Sequence, residues 1–289
     1  MHLIFLFLLF IFPSYLFPSP PRICGWYTEE SDYTEAKIRE DLEFFFKNGI
    51  ECINYSTSSE KYTKAARIAK LVGLKFYAWM PVLLGVGSDK QFLYDNYPET
   101  YVVTRLGQKT HDFPVIVPHY KFLCPNYDVV TSYLSQLFSN VSKISDVDGI
   151  NLDYIRFMEV SSAYSPITDS CYCQKCIQDF FIKTGRNKLM EKGSNDDQEW
   201  NEFRIELITS LVNKLSKVIR ANNKVVTADV YPGPWQSTRQ TKQRWNDWGL
   251  DMVFPMIYTG VFGRPVEWIG PQTGEGNKKI SFSICQMFY

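Results

Sequence analysis

Short apolar runs alternate with amphipathic stretches along most of this chain, and that alternation constrains the fold more than any other feature. Seven runs read as strands: Ile23 to Tyr27, Ile50 to Tyr55, Lys75 to Pro81, Gly149 to Phe157, Lys224 to Tyr231, Asp251 to Tyr258 and Ile280 to Met287. Between them, Glu35 to Asn48, Ser59 to Leu71, Asp128 to Ser142 and Trp200 to Asn222 repeat with helical period; the last carries an apolar stripe through Phe203, Leu207, Leu211, Leu215 and Val218. Strands separated by helices pair in parallel, so the expected class is α/β and the expected architecture a (β/α)8 TIM-type barrel. An eighth strand is not found before Tyr289. The expectation is therefore a barrel domain over residues 21–289 that lacks its last strand and helix, either as a piece of a longer product or closed by a partner segment, because open sheet edges are usually covered. Long loops after the third strand (Val82 to Cys124) and the fourth (Met158 to Ile177) are of the kind that shape substrate sites.

Charge narrows the functional classes. The chain has 31 basic and 31 acidic residues and no polybasic run, so binding to nucleic acid or to an anionic membrane surface is not expected. No Gly-rich phosphate loop, Ser-His-Asp order or HExxH pattern is present, so a nucleotide cofactor and peptidase chemistry have no support. Met1 to about Phe17 is almost unbroken apolar sequence ending in prolines. Residues 1–20 read as a signal peptide or hydrophobic leader, although the basic n-region is missing. The expected location is secreted or extracytoplasmic, with an uncleaved membrane anchor as the competing reading. Asn54-Tyr-Ser and Asn140-Val-Ser fit the N-glycosylation acceptor pattern, a weak signal.

Chemistry is suggested where strands end. In Asp148-Gly-Ile-Asn151-Leu-Asp153-Tyr-Ile-Arg156-Phe, period-two alternation puts Asn151 and Asp153 on one face, and Leu152 and Tyr154 on the other. With Leu152 packed outward, Asn151 and Asp153 face a barrel lumen at the C-terminal end of a strand, where barrel enzymes keep catalytic groups. The next strand repeats the pattern, placing Asp229 before Tyr231-Pro232-Gly233. Two carboxylates across a cleft are what glycosidic cleavage needs, one to protonate the leaving oxygen and the other to attack or to activate water. The competing readings are a helix-capping Asp153 and a turn-forming Asp229. Arg156 and Asn151 are candidates to hold Asp153 ionised, although Arg156 has the opposite strand phase and needs a bulge or twist to reach it. Tyr258, Trp26 and Trp79 are candidate sugar contacts, with packing as the alternative for the two tryptophans. Asp251 begins its strand and is expected to be structural; His111, Asp112 and His119 read as loop residues.

Cys171-Tyr-Cys173-Gln-Lys-Cys176, with Cys124 upstream, is a four-thiol set able to hold one tetrahedral zinc. Such a site would be structural, because a closed four-sulfur shell leaves no position for substrate. With seven cysteines and an apparent leader, disulfides are the alternative, but three cysteines within six residues pair poorly among themselves.

The runs DGINLDYIRF, VTADVYPG and DMVFPMIY resemble strand-end motifs of glycoside hydrolases of the family-10-like and uncharacterised barrel groups, over roughly Ile23 to Tyr289. That resemblance implies a (β/α)8 barrel, a catalytic role on the fourth strand for Asp153, as in the wider α-amylase and α-galactosidase relatives, and an acidic position on the fifth matched by Asp229. Separately, Cys124-Pro-Asn with the Cys171–Cys176 cluster is similar to the zinc site of family forty-two β-galactosidases. Those enzymes carry an Asn-Glu pair on the fourth strand where this chain has Asn151-Leu-Asp153, so their acid/base assignment does not transfer.

The function expected from the sequence is hydrolysis of glycosidic bonds in a polysaccharide or glycoconjugate, with Asp153 as nucleophile or stabiliser, Asp229 as general acid, and no cofactor for catalysis. The rivals are a catalytically silent carbohydrate-binding barrel and a cell-surface scaffold.

Overall fold

Seven parallel strands pair in strict chain order to make one sheet: β1 (Cys24–Thr28), β2 (Cys52–Ser56), β3 (Lys75–Pro81), β4 (Gly149–Asp153), β5 (Val225–Val230), β6 (Met252–Pro255) and β7 (Ser283–Ile284). The computed structural model describes residues 23–113, 116–160, 167–187, 197–277 and 283–284. The leader expected over residues 1–20 lies outside the described residues, as does most of the seventh apolar run. No described helix is long and apolar enough to cross a membrane.

The sheet is curled into a barrel. Trp26 on β1 and Phe254 on β6 would be about 24 Å apart across five strand spacings of a flat sheet. Their ring centroids are 5.1 Å apart, edge to face. Register builds lumen layers from alternate residues: Trp26, Asn54, Tyr77, Gly149 and Val225 form one, and Trp79, Asn151, Thr227 and Met252 the next. Gly149 is needed where it stands, since a Cβ there would lie 2.7 Å from the Val225 carbonyl oxygen and 2.9 Å from the Tyr77 ring. This is the (β/α)8-type architecture, of which seven strands lie among the described residues.

The helices form where sequence periodicity and caps coincide. In α1 (Glu35–Lys47), the Thr34 side chain accepts the Lys37 N–H and Ile38 and Leu42 are buried. Helix α2 (Tyr62–Val72) ends on Gly73, whose φ of 100° suits a left-handed cap, and it is preceded by a 3-10 turn over Ser59–Lys61. The long loop after β3 contains the short α3 (Gln91–Asn96), and α4 (Asp128–Ser142) returns the chain to β4. After β4 come α5 (Gln174–Thr184) and the 23-residue α6 (Gln198–Arg220), capped by Asp197. Then α7 (Pro234–Thr241) follows β5, and α8 (Thr259–Phe262) and α9 (Ile269–Asn277) follow β6.

The main core lies between sheet and helices, where Ile53, Phe76, Ile150, Leu152, Val226 and Val253 meet Leu42, Ala66, Leu134, Phe138 and Leu211. A smaller cluster of Cys24, Cys52, Tyr77, Met252 and Phe254 fills the lower lumen. Two strands end well before periodicity predicts. Tyr154 adopts a positive φ of 48°, which ends β4 at Asp153, and β6 stops at Pro255 rather than reaching Tyr258. The segment read as a loop after β3 holds α3, the one after β4 runs into the first turn of α5, and isolated antiparallel bridges brace the two, among them Tyr101 to Leu123 and Thr104 to Ser170.

Candidate active site and cysteine centre

Strands β4 and β5 pair with Leu152 opposite Ala228, so the next position of each, Asp153 and Asp229, stands side by side at the C-terminal end of the barrel. Both side chains are almost enclosed, Asp153 at 6% exposure and Asp229 at 2%. Enclosure decides their charge. Burial raises Asp153 to about 6, against the pull of the Arg156 guanidinium and the Tyr154 N–H, which donates to Asp153 Oδ1 at 2.6 Å. Asp229 rises well above the usual carboxylate range, through burial and then through the charge of Asp153. Asn151 and Trp79 oppose that rise. Of the two carboxyls, Asp229 is therefore the one that holds its proton more strongly.

The surrounding side chains fix this arrangement. Trp79 Nε1 donates to Asp229 Oδ2 at 2.9 Å, reaching across the lumen from β3 to β5. Asn151 Oδ1 accepts from Thr227 Oγ1 at 2.9 Å, which holds the amide beside Asp229. Among the described residues, neither Asn151 Nδ2 nor Asp229 Oδ1 completes a hydrogen bond of ordinary geometry, and Arg156 Nε also lacks one. Orphaned polar atoms in so buried a place are costly unless something else satisfies them.

The left-handed turn at Tyr154 is the twist that Arg156 requires. It resets the strand phase and turns the Arg156 side chain inward, where it is 6% exposed. Its guanidinium lies over the rings of Tyr154 and Tyr231, at 4.9 and 5.2 Å, and Nη1 donates to the Tyr120 hydroxyl at 3.4 Å. Tyr231 in turn donates to Glu159. Tyr120, Tyr231 and Glu159 thus join the carboxylate end of the barrel without having been singled out in the sequence. Tyr231 follows directly on β5 and was legible as a strand-end residue; Tyr120 and Glu159 lie in loops and carried no signal.

The remaining expected contacts are placed as follows. Trp79 touches Asp229 directly, while Trp26 packs on Phe254, the register partner of Asp229. Tyr258 is half-buried at the start of α8, beyond the end of β6. Asp251 sits at the opposite end of the barrel, where Oδ2 accepts the Val226 N–H at 2.9 Å. His111 braces the β3 loop between Asp112 and the Tyr94 carbonyl, and His119 is exposed. Asn54, which heads one glycosylation tripeptide, is fully buried in the lumen.

Cys124, Cys171, Cys173 and Cys176 converge from the loops after β3 and β4. Their four sulfur atoms lie within 4.8 Å of one another, all buried. The Cys173 and Cys176 N–H groups point at Cys171 and Cys173 sulfurs, at 3.4 and 3.5 Å. Mutual contacts of this size and N–H donors aimed at sulfur fit a tetrahedral thiolate site, so the four residues could hold a metal ion. Behind them, the fully buried Arg204 of α6 pairs with Asp169 at 2.6 Å and donates to the Ser170 carbonyl, anchoring the β4 loop. The other two cysteines described, Cys24 and Cys52, are register partners on β1 and β2 and form a disulfide in the lower lumen.

Comparison with known proteins agrees with this architecture. The family described as glycosyl hydrolase-like 10 matches residues 64–271. No curated protein sequence matches the chain. Among solved structures, the PgaB (BpsB) glycoside hydrolase domain from Bordetella bronchiseptica is similar with a TM-score of 0.66 and 14% identity, over 92% of this chain and 84% of that one. The catalytic domain of β-amylase from Paenibacillus polymyxa is similar at 0.61 and 9%, over 92% of each chain. The β-galactosidase from Bacillus circulans sp. alkalophilus gives 0.61 and 14%, over 88% of this chain but only 42% of its own. Likeness at these identities is likeness of fold.

Proposed function

The chain belongs to the glycosyl hydrolase-like 10 family, and from that premise we propose that it hydrolyses O-glycosyl bonds of a polysaccharide or glycoconjugate with Asp153 and Asp229 as the working pair. One observation carries the reading: two carboxyl groups stand in adjacent register at the C-terminal barrel end, and their surroundings drive their protonation apart. Asp229, protonated, donates its proton to the glycosidic oxygen as the bond to the anomeric carbon breaks. Asp153, ionised and steadied by Arg156 and the Tyr154 N–H, attacks that carbon or stabilises the positive charge developing there; water then adds at the carbon, displacing Asp153 where a bond to it has formed, and returns a proton to Asp229. Trp79 positions the acid, and Asn151, Arg156, Trp26 and Tyr258 are the proposed substrate contacts.

The test is release of reducing ends from polysaccharides by the purified chain, followed against pH. Turnover is expected to fall below about pH 6 as Asp153 gains its proton and to fall again at high pH as Asp229 loses its own. A flat profile, or unchanged turnover in Asp153→Asn and Asp229→Asn, would remove the pair from the chemistry. The near enclosure of both carboxyls supports a second reading, a barrel that binds carbohydrate without cleaving it. Glycan binding with no released ends would select it.

Cys124, Cys171, Cys173 and Cys176 are proposed to hold a structural zinc ion. When bound, that ion would cross-link the two long loops without entering the reaction, since four sulfurs fill its shell. Secretion is also proposed, and the Cys24–Cys52 disulfide supports it, as such bonds persist in oxidising compartments.

A further inference from the structure

A cavity of about 620 Å³ opens on the outer side of α7, between that helix and the start of α6. Its size falls within the roughly 300–1,000 Å³ of small-ligand sites. Trp235, Thr238 and Arg239 line it from one face of α7, at the i, i+3 and i+4 spacing of a helix. Asn201 of α6, and Arg244 and Asn246 beyond α7, close the other side.

Two features mark it as more than a surface fold. Trp235 is 66% exposed, a large apolar ring presented to solvent, and the Arg239 guanidinium lies 5.4 Å from its centroid. Neither the main core nor the lower-lumen cluster includes this ring. The polar groups of the wall, moreover, are already held in place. Arg244 makes a two-pronged pair with Glu202, one prong at 2.6 Å, which uses two of its five N–H donors. Asn201 is fixed by Arg204 at 2.7 Å, and Asn246 by Asp247 at 2.9 Å. Pre-positioned amide and guanidinium groups around an open aromatic ring suit one class of ligand: a pyranose, whose C–H face packs on the indole while its hydroxyl or carboxylate oxygens meet the donors. The wall holds two arginines and no carboxylate, which argues against a cation.

The cavity is tied to the carboxylate pair through α7. At its C-terminal end the helix accepts hydrogen bonds from the β4 loop, Phe157 N–H to the Thr241 carbonyl at 3.2 Å and Val160 N–H to Gln240 at 2.9 Å. That loop carries Arg156 and Glu159. We propose that the Trp235 cavity is an accessory saccharide subsite, which grips the same glycan strand at a distance from the bond being cleaved. The inference rests on the carbohydrate-cleaving reading for its substrate, and its test separates the two.

Binding of cellotetraose, chitotetraose and tetragalacturonate would be measured by calorimetry and by the indole N–H signal of Trp235, with Asp229→Asn as a non-cleaving background. The expected result is binding of at least one probe that Trp235→Ala weakens about tenfold or more and Trp235→Phe largely restores. On the native background, Trp235→Ala should lower turnover of a polymer while leaving turnover of a short chromogenic glycoside unchanged. Cleavage and binding that are both indifferent to Trp235→Ala would overturn the subsite and leave the hydrolase reading standing. Probe binding that depends on Trp235, without any cleavage, would sustain the subsite and overturn the hydrolase. If none of the probes binds or shifts the Trp235 signal, the subsite is overturned.

Discussion

The two ends of the barrel use the same residue in opposite ways. At the N-terminal end, Asp148 and Asp251 each accept a backbone N–H from the strand that precedes their own, Phe76 and Val226 respectively, both at 2.9 Å. Each also faces a partly exposed cation, Lys75 at 2.8 Å and Arg220 at 3.1 Å. At the C-terminal end, Asp153 and Asp229 are buried beside each other, and Asp229 keeps an oxygen without a partner among the described residues. The lower pair ties strands together where water can still reach it. The upper pair is held at a cost in stability, which is what a site kept for chemistry looks like.

The sharpest way to break that comparison is to neutralise each end in turn. Asp153→Asn and Asp229→Asn are expected to lower turnover about 10³-fold or more, roughly 4 kcal/mol of barrel-end chemistry, while folding persists. Asp229→Asn should in addition stabilise the fold. The native Asp229 holds its proton more tightly than an unfolded Asp of pKa 3.8, so stability falls as pH rises above that value, where the unfolded carboxyl ionises. The gain, on the order of 1–4 kcal/mol, should appear in denaturant unfolding at pH 8 and vanish below about pH 4. A loss of stability at pH 8 would mean that the upper aspartate is as structural as the lower one.

A second perturbation asks whether the rim is held by its loops. Cys173→Ser, or stripping of metal with a chelator, is expected to cost several kcal/mol and to broaden thermal unfolding, with turnover falling because the β3 and β4 loops loosen. Metal analysis should find about one zinc per chain, and its absence from folded protein would return the four cysteines to thiols or disulfides. At the lower end, Asp148→Asn should cost about 1–2 kcal/mol through the weakened Phe76 bond and leave turnover within about twofold, since it lies far from the pair along β4. The smallest effect is expected from Trp79→Phe. Trp79 favours the ionised form of Asp229, so its loss raises that carboxyl further and moves the alkaline limb of the pH profile upward, by less than about one pH unit. A downward move would reverse the assigned direction.

Much of this is visible in the sequence because it depends on near neighbours. Alternation of two placed Asn151 and Asp153 on the lumen face and Leu152 in the outer core, and the same rule applied to β5 placed Asp229. The disulfide was within reach of the same rule, since Cys24 and Cys52 share the inward phase of adjacent strands. Arg156 was harder. Its phase was wrong for the site until Tyr154, a residue with no glycine-like freedom, took a positive φ.

Local periodicity therefore determined the strands, the main helices and the inward positions, because pleat and helical pitch act over a few residues. Only the curled sheet and its loops decided how strongly each carboxyl holds its proton, since that turns on burial and on Trp79, 150 positions from Asp229. It also brought Cys124 to Cys176 across 52 residues, and Tyr231 and Glu159 to one another across 72. Charge state and ligand geometry follow from which groups share a low-dielectric space, and that is a property of the packed chain rather than of any stretch of it.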